Sequence, residues 1–286
     1  MLLLAIAACA APTAAETGAP GAMTFLASIP TGPGVALFAA AGGDPQVEDA
    51  DARVADTLSA LGLSFLVENS LCSKYVSRGV RNSDAPVWEP YVAATWKDIT
   101  AYCWANMDLT DDGGARNRFT EYDLGVKYTK SIGEFDLLLG VVNYQEPNNT
   151  SCITTEVYGA VGYKCWFTPM LMVYQDVDEN RGQYVRLQIE HTFANVWEPW
   201  KGVTVDAVAT ATVAYGSAAY NDASYNANTA GFTDASISLS TPVHLSERIT
   251  VTPMISAAQL LDNAVRRGTP GGSSTVSGAV TVSYRF

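Results

Sequence analysis

The last twelve residues read Thr275-Val276-Ser277-Gly278-Ala279-Val280-Thr281-Val282-Ser283-Tyr284-Arg285-Phe286. Thr275, Ser277, Thr281, Ser283 and Arg285 are polar, while Val276, Val280, Val282, Tyr284 and Phe286 between them are apolar. A period of two puts these sets on opposite faces of one β-strand whose faces meet different surroundings. The same pattern runs backwards through the chain. Residues 202–215 set Val203, Val205, Ala207, Ala209, Ala211 and Val213 against Thr204, Asp206, Thr210 and Thr212. Residues 182–194 set Val185, Leu187, Ile189 and Phe193 against Tyr184, Arg186, Gln188, Glu190 and Thr192.

Twelve such segments are predicted: 65–79, 87–97, 99–109, 118–130, 134–145, 152–163, 167–176, 182–194, 202–215, 228–240, 249–260 and 275–286. Their connections alternate in length. Lys97-Asp98, 131–133 and 164–166 are tight, whereas 82–86, 110–117, 146–151, 216–227 and 262–274 are long and polar; 177–181 and 195–201 are intermediate. An even strand number, with short turns at one end and long loops at the other, is the pattern of an outer-membrane barrel. Aromatics gather near strand ends (Trp88, Trp96, Tyr128, Tyr144, Tyr163, Trp166, Phe167, Phe193, Trp197, Trp200, Tyr215, Tyr284 and Phe286), where the two interfacial girdles of a barrel fall. The fold expected is an all-β, transmembrane antiparallel β-barrel of about 12 strands. Both termini then lie on the periplasmic side.

Composition agrees. Of 286 residues 48% are hydrophobic and only 16% charged, with a formal net charge of −12. The acidic balance argues against nucleic-acid binding, which requires clustered Lys and Arg. No apolar run reaches the ~18–20 residues of a membrane-spanning helix.

The first part of the chain differs. Residues 1–15 resemble a secretory signal, with cleavage after Ala10 or Ala15; Ile6-Ala7-Ala8-Cys9 also fits a lipoprotein signal that would lipidate Cys9. Residues 16–63 are rich in Ala, Gly and Pro and contain one predicted helix near 45–61, with Asp44 as N-cap and Gly62 closing it. This leader is read either as a loose segment or as a plug or periplasmic helix, ahead of a barrel over 64–286. The cysteines at 9, 72, 103, 152 and 165 make no metal or redox motif. Cys152 and Cys165 flank one predicted strand, roughly 40 Å apart at the usual rise per residue, and are not expected to bond. All four cysteines beyond the leader are read as small apolar side chains.

The segment from Cys72 to Phe193 resembles the TorF-type porin family. The likeness is carried by Ser73-Lys74-Tyr75-Val76-Ser77-Arg78-Gly79-Val80, Trp104-Ala105-Asn106-Met107-Asp108, Glu121-Tyr122-Asp123-Leu124-Gly125-Val126-Lys127-Tyr128 and Thr155-Glu156-Val157-Tyr158-Gly159, in the family's order. Tyr284-Arg285-Phe286 is similar to the terminal aromatic signal of outer-membrane assembly, with Tyr284 and Phe286 as its key residues. The resemblance implies the cell outer membrane, with its lipid and lipopolysaccharide and the barrel-assembly machinery as partners, and small solutes or ions as cargo.

No catalytic motif is present, and neither an enzyme nor a cofactor is expected. His191 reads as an interfacial side chain and His244 as a solvated loop residue. Residues 176–182 look briefly like a calcium loop, but Arg181 stands where the required Gly belongs, and they read with 108–114 as solvated turns. The functional candidates are the ionisable residues on predicted inward faces: Lys74, Arg78, Glu121, Asp123, Lys127, Asp136, Arg186, Glu190 and Asp206, with Glu156 beside them. Lining a watery lumen, they would set the field a passing ion feels. The expected function is a porin-like channel for passive diffusion of small polar or ionic solutes; the alternative is a non-conducting structural or surface-binding barrel. Tyr102, Trp104, Tyr158 and Tyr184 also point inward on this phase, as lumen filling would require.

Overall fold

The computed structural model describes residues 57–58, 60–111, 116–147 and 153–286. The signal sequence, Cys9 and nearly all of the leader lie outside them. Thr57, Leu58 and Ala60 form the last helical turn before the barrel. Leu61 donates to the Thr57 carbonyl at 3.1 Å, and Gly62 (φ 68°) turns the chain out of the helix.

The strands are β1 Leu63–Cys72, β2 Tyr75–Ser77, β3 Val80–Ser83, β4 Val87–Trp96, β5 Ile99–Asp108, β6 Arg118–Ile132, β7 Phe135–Gln145 and β8 Ile153–Tyr163. They continue with β9 Met170–Asp176, β10 Gln183–Trp200, β11 Val203–Gly216, β12 Gly231–Ser240, β13 Val243–His244, β14 Ile249–Leu260 and β15 Ser274–Arg285. Helix α1, Ala218–Tyr225, joins β11 to β12, and α2, Asn263–Gly268, joins β14 to β15.

Around the barrel each strand pairs antiparallel with its neighbour, from β1 through β4 to β12, then β14 and β15. The circle closes where β15 meets β1, with Leu66 opposite Arg285 and Cys72 opposite Ala279. Phe286 and Phe65 complete the seam, the Phe286 amide donating to the Phe65 carbonyl at 2.9 Å. The result is a closed twelve-stranded antiparallel barrel. The two-residue β13 continues the path of β12 between β11 and β14, beyond an interruption at Pro242, which has no amide proton for the ladder. Most wall strands have ten residues or more, enough to cross a bilayer when tilted.

The outer face is apolar. Val92, Leu124, Leu139, Val157, Ile237, Ile255 and Val276 are all exposed there. At the short-turn end they are bordered by exposed Trp96, Tyr128, Phe135, Trp166, Phe193, Trp197, Trp200 and Phe286; Tyr215 and Phe232 lie at the other end. An apolar band between aromatic borders on a closed barrel is a surface for lipid, and a soluble sandwich would not survive exposing it. The protein is a β-barrel of the outer membrane.

The expected strands are recovered with four differences. Segment 65–79 is not one strand. The wall strand ends at Cys72, and β2 and β3 form a separate hairpin. Tyr75 and Ser77 keep a period of two in their new partnership, so alternation alone could not reveal the departure. Segment 195–201 is not a loop: β10 runs to Trp200 through bulges around Asn195 (φ 53°). Tyr144 belongs to no girdle and faces the lumen instead. Cys165 is disulfide-bonded, with its partner outside the described residues, whereas Cys72 and Cys103 are thiols outside any disulfide.

Candidate functional site in the barrel lumen

The connection from β1 to β4 folds into the barrel rather than over it. Arg78 (φ 47°) and Gly79 (φ 79°) both take left-handed backbone conformations, which a tight two-residue hairpin turn requires. Gly79 is pressed against the wall at β12 and β14: a β-carbon there would lie 2.7 Å from Asp234 Cβ and 2.8 Å from Leu260 Cδ2. The hairpin tip therefore lies inside the lumen against β12 and β14, three and two strands round the wall from β1. Near its base Lys74 pairs with Asp84, as does Arg81 at 3.0 Å, and Arg81 also donates to the Gly271 carbonyl.

The side chain of Arg78 ends in a pocket built from five elements. Its guanidinium donates twice to Glu156 on β8, at 2.8 and 2.5 Å. It donates further to the hydroxyls of Tyr220 on α1 (3.0 Å) and Tyr144 on β7 (3.1 Å). The rings of Tyr174 on β9 and Tyr184 on β10 each lie 4.7 Å from its central carbon. Tyr225 on α1 holds the tip by donating to the Arg78 carbonyl at 2.9 Å. Helix α1 exists because Ser217 caps it, accepting from the Tyr220 amide, and Asn226 ends it in the left-handed region. By sequence alone residues 216–227 are expected to be a long polar loop; the structure makes the middle of it a helix.

Below and beside the tip the lumen is filled. Tyr75 packs on Trp104 with ring centroids 5.6 Å apart and donates to Glu121 at 2.6 Å. Tyr102 and Tyr158 share a hydrogen bond of 3.1 Å along the inner face of the wall, over β6 and β7. Each ring lies over a glycine of the neighbouring strand: a β-carbon at Gly125 would meet Tyr102 at 2.2 Å, and one at Gly140 would meet Tyr158 at 2.4 Å. Among wall residues β4 to β10 contribute these large rings, while β11 to β15 contribute small ones. Ser236, Ser238, Ser240, Ser256, Ser277, Thr281 and Ser283 are half-buried there, so this side of the lumen stays accessible to water.

The proposed lining residues divide by height. Arg78, Glu121 and Asp123 gather around the hairpin, with Glu156. Asp123 is 1% exposed. Lys127 is buried on the same strand, its ammonium 5.3 Å above the Tyr102 ring. Arg186 reaches Met172, and Glu190 accepts from Thr210 at 3.1 Å. Asp136 sits apart, near the β6–β7 turn, paired with Lys164 at 3.2 Å. Asp206 is likewise distant and accepts from His244 at 3.0 Å and from the Asn195 amide at 2.8 Å. His244 is thus a paired residue of β13, not a solvated loop residue. His191, on the outer face, bonds to the Trp166 carbonyl at 2.6 Å and lies against the Trp166 and Phe193 rings. Asp176 folds its loop around itself, taking the amides of Asp178, Asn180 and Arg181 and the hydroxyl of Thr154.

Sequence reasoning missed Glu89, Tyr144, Tyr174, Tyr220, Tyr225 and Asp234. Glu89 is fully buried on β4, and Asp234 accepts from Tyr184 at 3.1 Å and from Thr233 at 2.7 Å. Inward alternation on β4 and β9 was available as a signal for Glu89 and Tyr174; nothing local marks the residues on α1.

No protein-family model matches the chain, and no curated protein matches it in sequence. Among solved structures it is similar to the NanC porin, at 14% identity and a TM-score of 0.45, over 77% of this chain and 98% of that one. It is also similar to an outer membrane channel from Pseudomonas putida F1, at 8% identity and TM-score 0.43, over 79% of this chain and 96% of that one. A third similar structure is an anion-selective porin from Comamonas acidovorans, at 9% identity and TM-score 0.36, over 78% and 98%.

Proposed function

We propose that the protein is an outer-membrane channel for small polar or ionic solutes, held closed at rest by the β2–β3 hairpin. The observation that carries this reading is the seat of Arg78. A hairpin whose tip docks through the hydrogen bonds of one charged side chain, with Tyr75 and Val80 as its apolar contacts, is more readily withdrawn than a core of interlocked apolar side chains. Behind it lie the half-buried hydroxyls of β12, β14 and β15, a water-compatible path.

In this reading Lys74, Arg78, Glu121, Asp123, Lys127, Asp136, Arg186, Glu190 and Asp206 line the passage. Withdrawal of the hairpin takes Lys74, Arg78 and Arg81 with it and leaves Glu89, Glu121, Asp123, Glu156, Glu190 and Asp234 against Lys127 and Arg186, so the open state prefers cations. The motif likeness to the TorF-type family is in keeping with a channel. Lipopolysaccharide and the assembly machinery are the partners such a barrel would meet, with Tyr284 and Phe286 as its assembly signal.

Single-channel conductance of the refolded barrel in planar bilayers tests the proposal. The wild type should be mostly closed, and a Gly79→Val variant, which cannot seat the tip, should conduct. Silence from both folded proteins would leave the second reading, a filled non-conducting barrel, which the close packing of Tyr102, Trp104 and Tyr158 favours.

A further inference from the structure

We infer that the pocket around Arg78 is a receptor for small guanidinium cations, and that Arg78 is its built-in occupant. The inference deepens the gated-channel reading and rests on it for the consequence of binding, the release of the hairpin.

The pocket is organised by contacts that do not involve Arg78. Tyr144 donates to Glu156 at 2.8 Å and fixes the carboxylate. Tyr184 is tethered by Asp234, and Tyr220 packs on Tyr184 with centroids 5.1 Å apart. Glu156, Tyr174, Tyr184 and Tyr220 are each no more than 5% exposed, so they are shielded from water and screening salt. Removing the Arg78 side chain would leave a carboxylate aligned for two parallel N–H donors, two tyrosine hydroxyls beside it and two aromatic faces around it.

That set selects by chemistry. The paired oxygens of Glu156 match a planar fork of donors, which a guanidinium has and an ammonium lacks. The faces of Tyr174 and Tyr184 favour a delocalised, weakly hydrated cation. An anion meets the carboxylate and is repelled, and a neutral urea leaves a buried charge unpaired. A solute of this class must compete with Arg78, which is tethered at high effective concentration by its own hairpin. The closed state therefore resists dilute solute, and binding coincides with release of the tip.

The test begins with Arg78→Ala, refolded in detergent and titrated with ethylguanidinium, ethylammonium and urea, reading the denaturation midpoint and tyrosine fluorescence. A saturable response to ethylguanidinium is expected, with ethylammonium about tenfold weaker for want of one charge-assisted hydrogen bond and urea inert. The response should vanish in Arg78→Ala/Glu156→Gln. No saturable response, an equal response to ethylammonium, or one that survives Glu156→Gln would overturn the proposal. If Arg78→Ala does not refold, Arg78→Gln keeps the length of the side chain without its charge and is judged by the same titration.

Bilayer recordings of the same variants separate the two readings. Binding with no conductance in any variant sinks the gated channel and keeps the receptor. Conductance with no guanidinium response does the reverse.

Discussion

Arg78 and Glu156 are 78 residues apart in the chain and meet inside the barrel through two hydrogen bonds, of 2.8 and 2.5 Å. The pair joins a lumenal hairpin to the wall that encloses it. Glu156 is nearly inaccessible, its side chain 5% exposed, while that of Arg78 is 22% exposed. Replacing Glu156 by Gln should leave a part-buried guanidinium without its counter-charge and cost about 2–3 kcal/mol, at or below the low end of the range for breaking fully buried pairs. Urea unfolding in detergent measures this, and a loss below about 1 kcal/mol would mean that the tyrosines hold Arg78 without the carboxylate.

The tyrosine faces can be weighed separately. Tyr174→Phe keeps the ring 4.7 Å from the Arg78 guanidinium, so it should be close to neutral. Tyr174→Leu removes the π-face and should destabilise by about 1–2 kcal/mol more than Phe does. Equal losses from the two would remove the cation–π contribution from the account.

Gly79→Ala tests the fit of the tip. The added methyl meets Asp234 and Leu260 below 3 Å and also strains a left-handed backbone. The hairpin should unseat while the wall stays intact. Trypsin added to the folded barrel should then cut at Arg78 or Arg81 in the variant and not in the wild type. Equal resistance in both would mean that the tip tolerates the methyl by shifting.

Leu139 projects from the outer face of β7 and is 65% exposed. Leu139→Arg should cost about 2–4 kcal/mol in a bilayer, because the charge faces hydrocarbon. Ser238→Arg, on the hydroxyl side of the lumen, should cost far less. Refolding yield and urea midpoint in lipid vesicles compare the two, and similar losses would contradict the assignment of faces.

Near the hairpin's base, the Lys74 ammonium donates to Asp84 and, with Arg81 adding its charge, holds that carboxyl below its ordinary range. The pairing therefore stabilises the hairpin at pH above the ordinary carboxylate pKa and is lost as pH falls through the lowered value. Carbon-13 NMR titration of Asp84 in refolded protein should show a depressed midpoint that returns to normal in Lys74→Ala/Arg81→Ala. An unshifted midpoint in the wild type would remove Asp84 as an anchor of the hairpin.

The amino-acid sequence by itself determined the wall. A period of two is a local property, and it assigns Val276 to lipid and Ser277 to the interior without knowledge of any partner strand. Counting the alternating segments did the same for strand number. The contents of the lumen were decided only by tertiary structure. Tyr75 alternates as well in a hairpin as in a wall, and Tyr144 lies near a strand end whether it faces membrane or Arg78. The α1 residues Tyr220 and Tyr225 meet Arg78 only because barrel closure brings β11 and β12 within reach of a hairpin more than 140 residues earlier. Asp206 and His244 pair because β13 resumes beside β11 beyond the interruption at Pro242. Side-chain alternation is written residue by residue; the filling of a closed barrel depends on which distant faces the closure sets opposite one another.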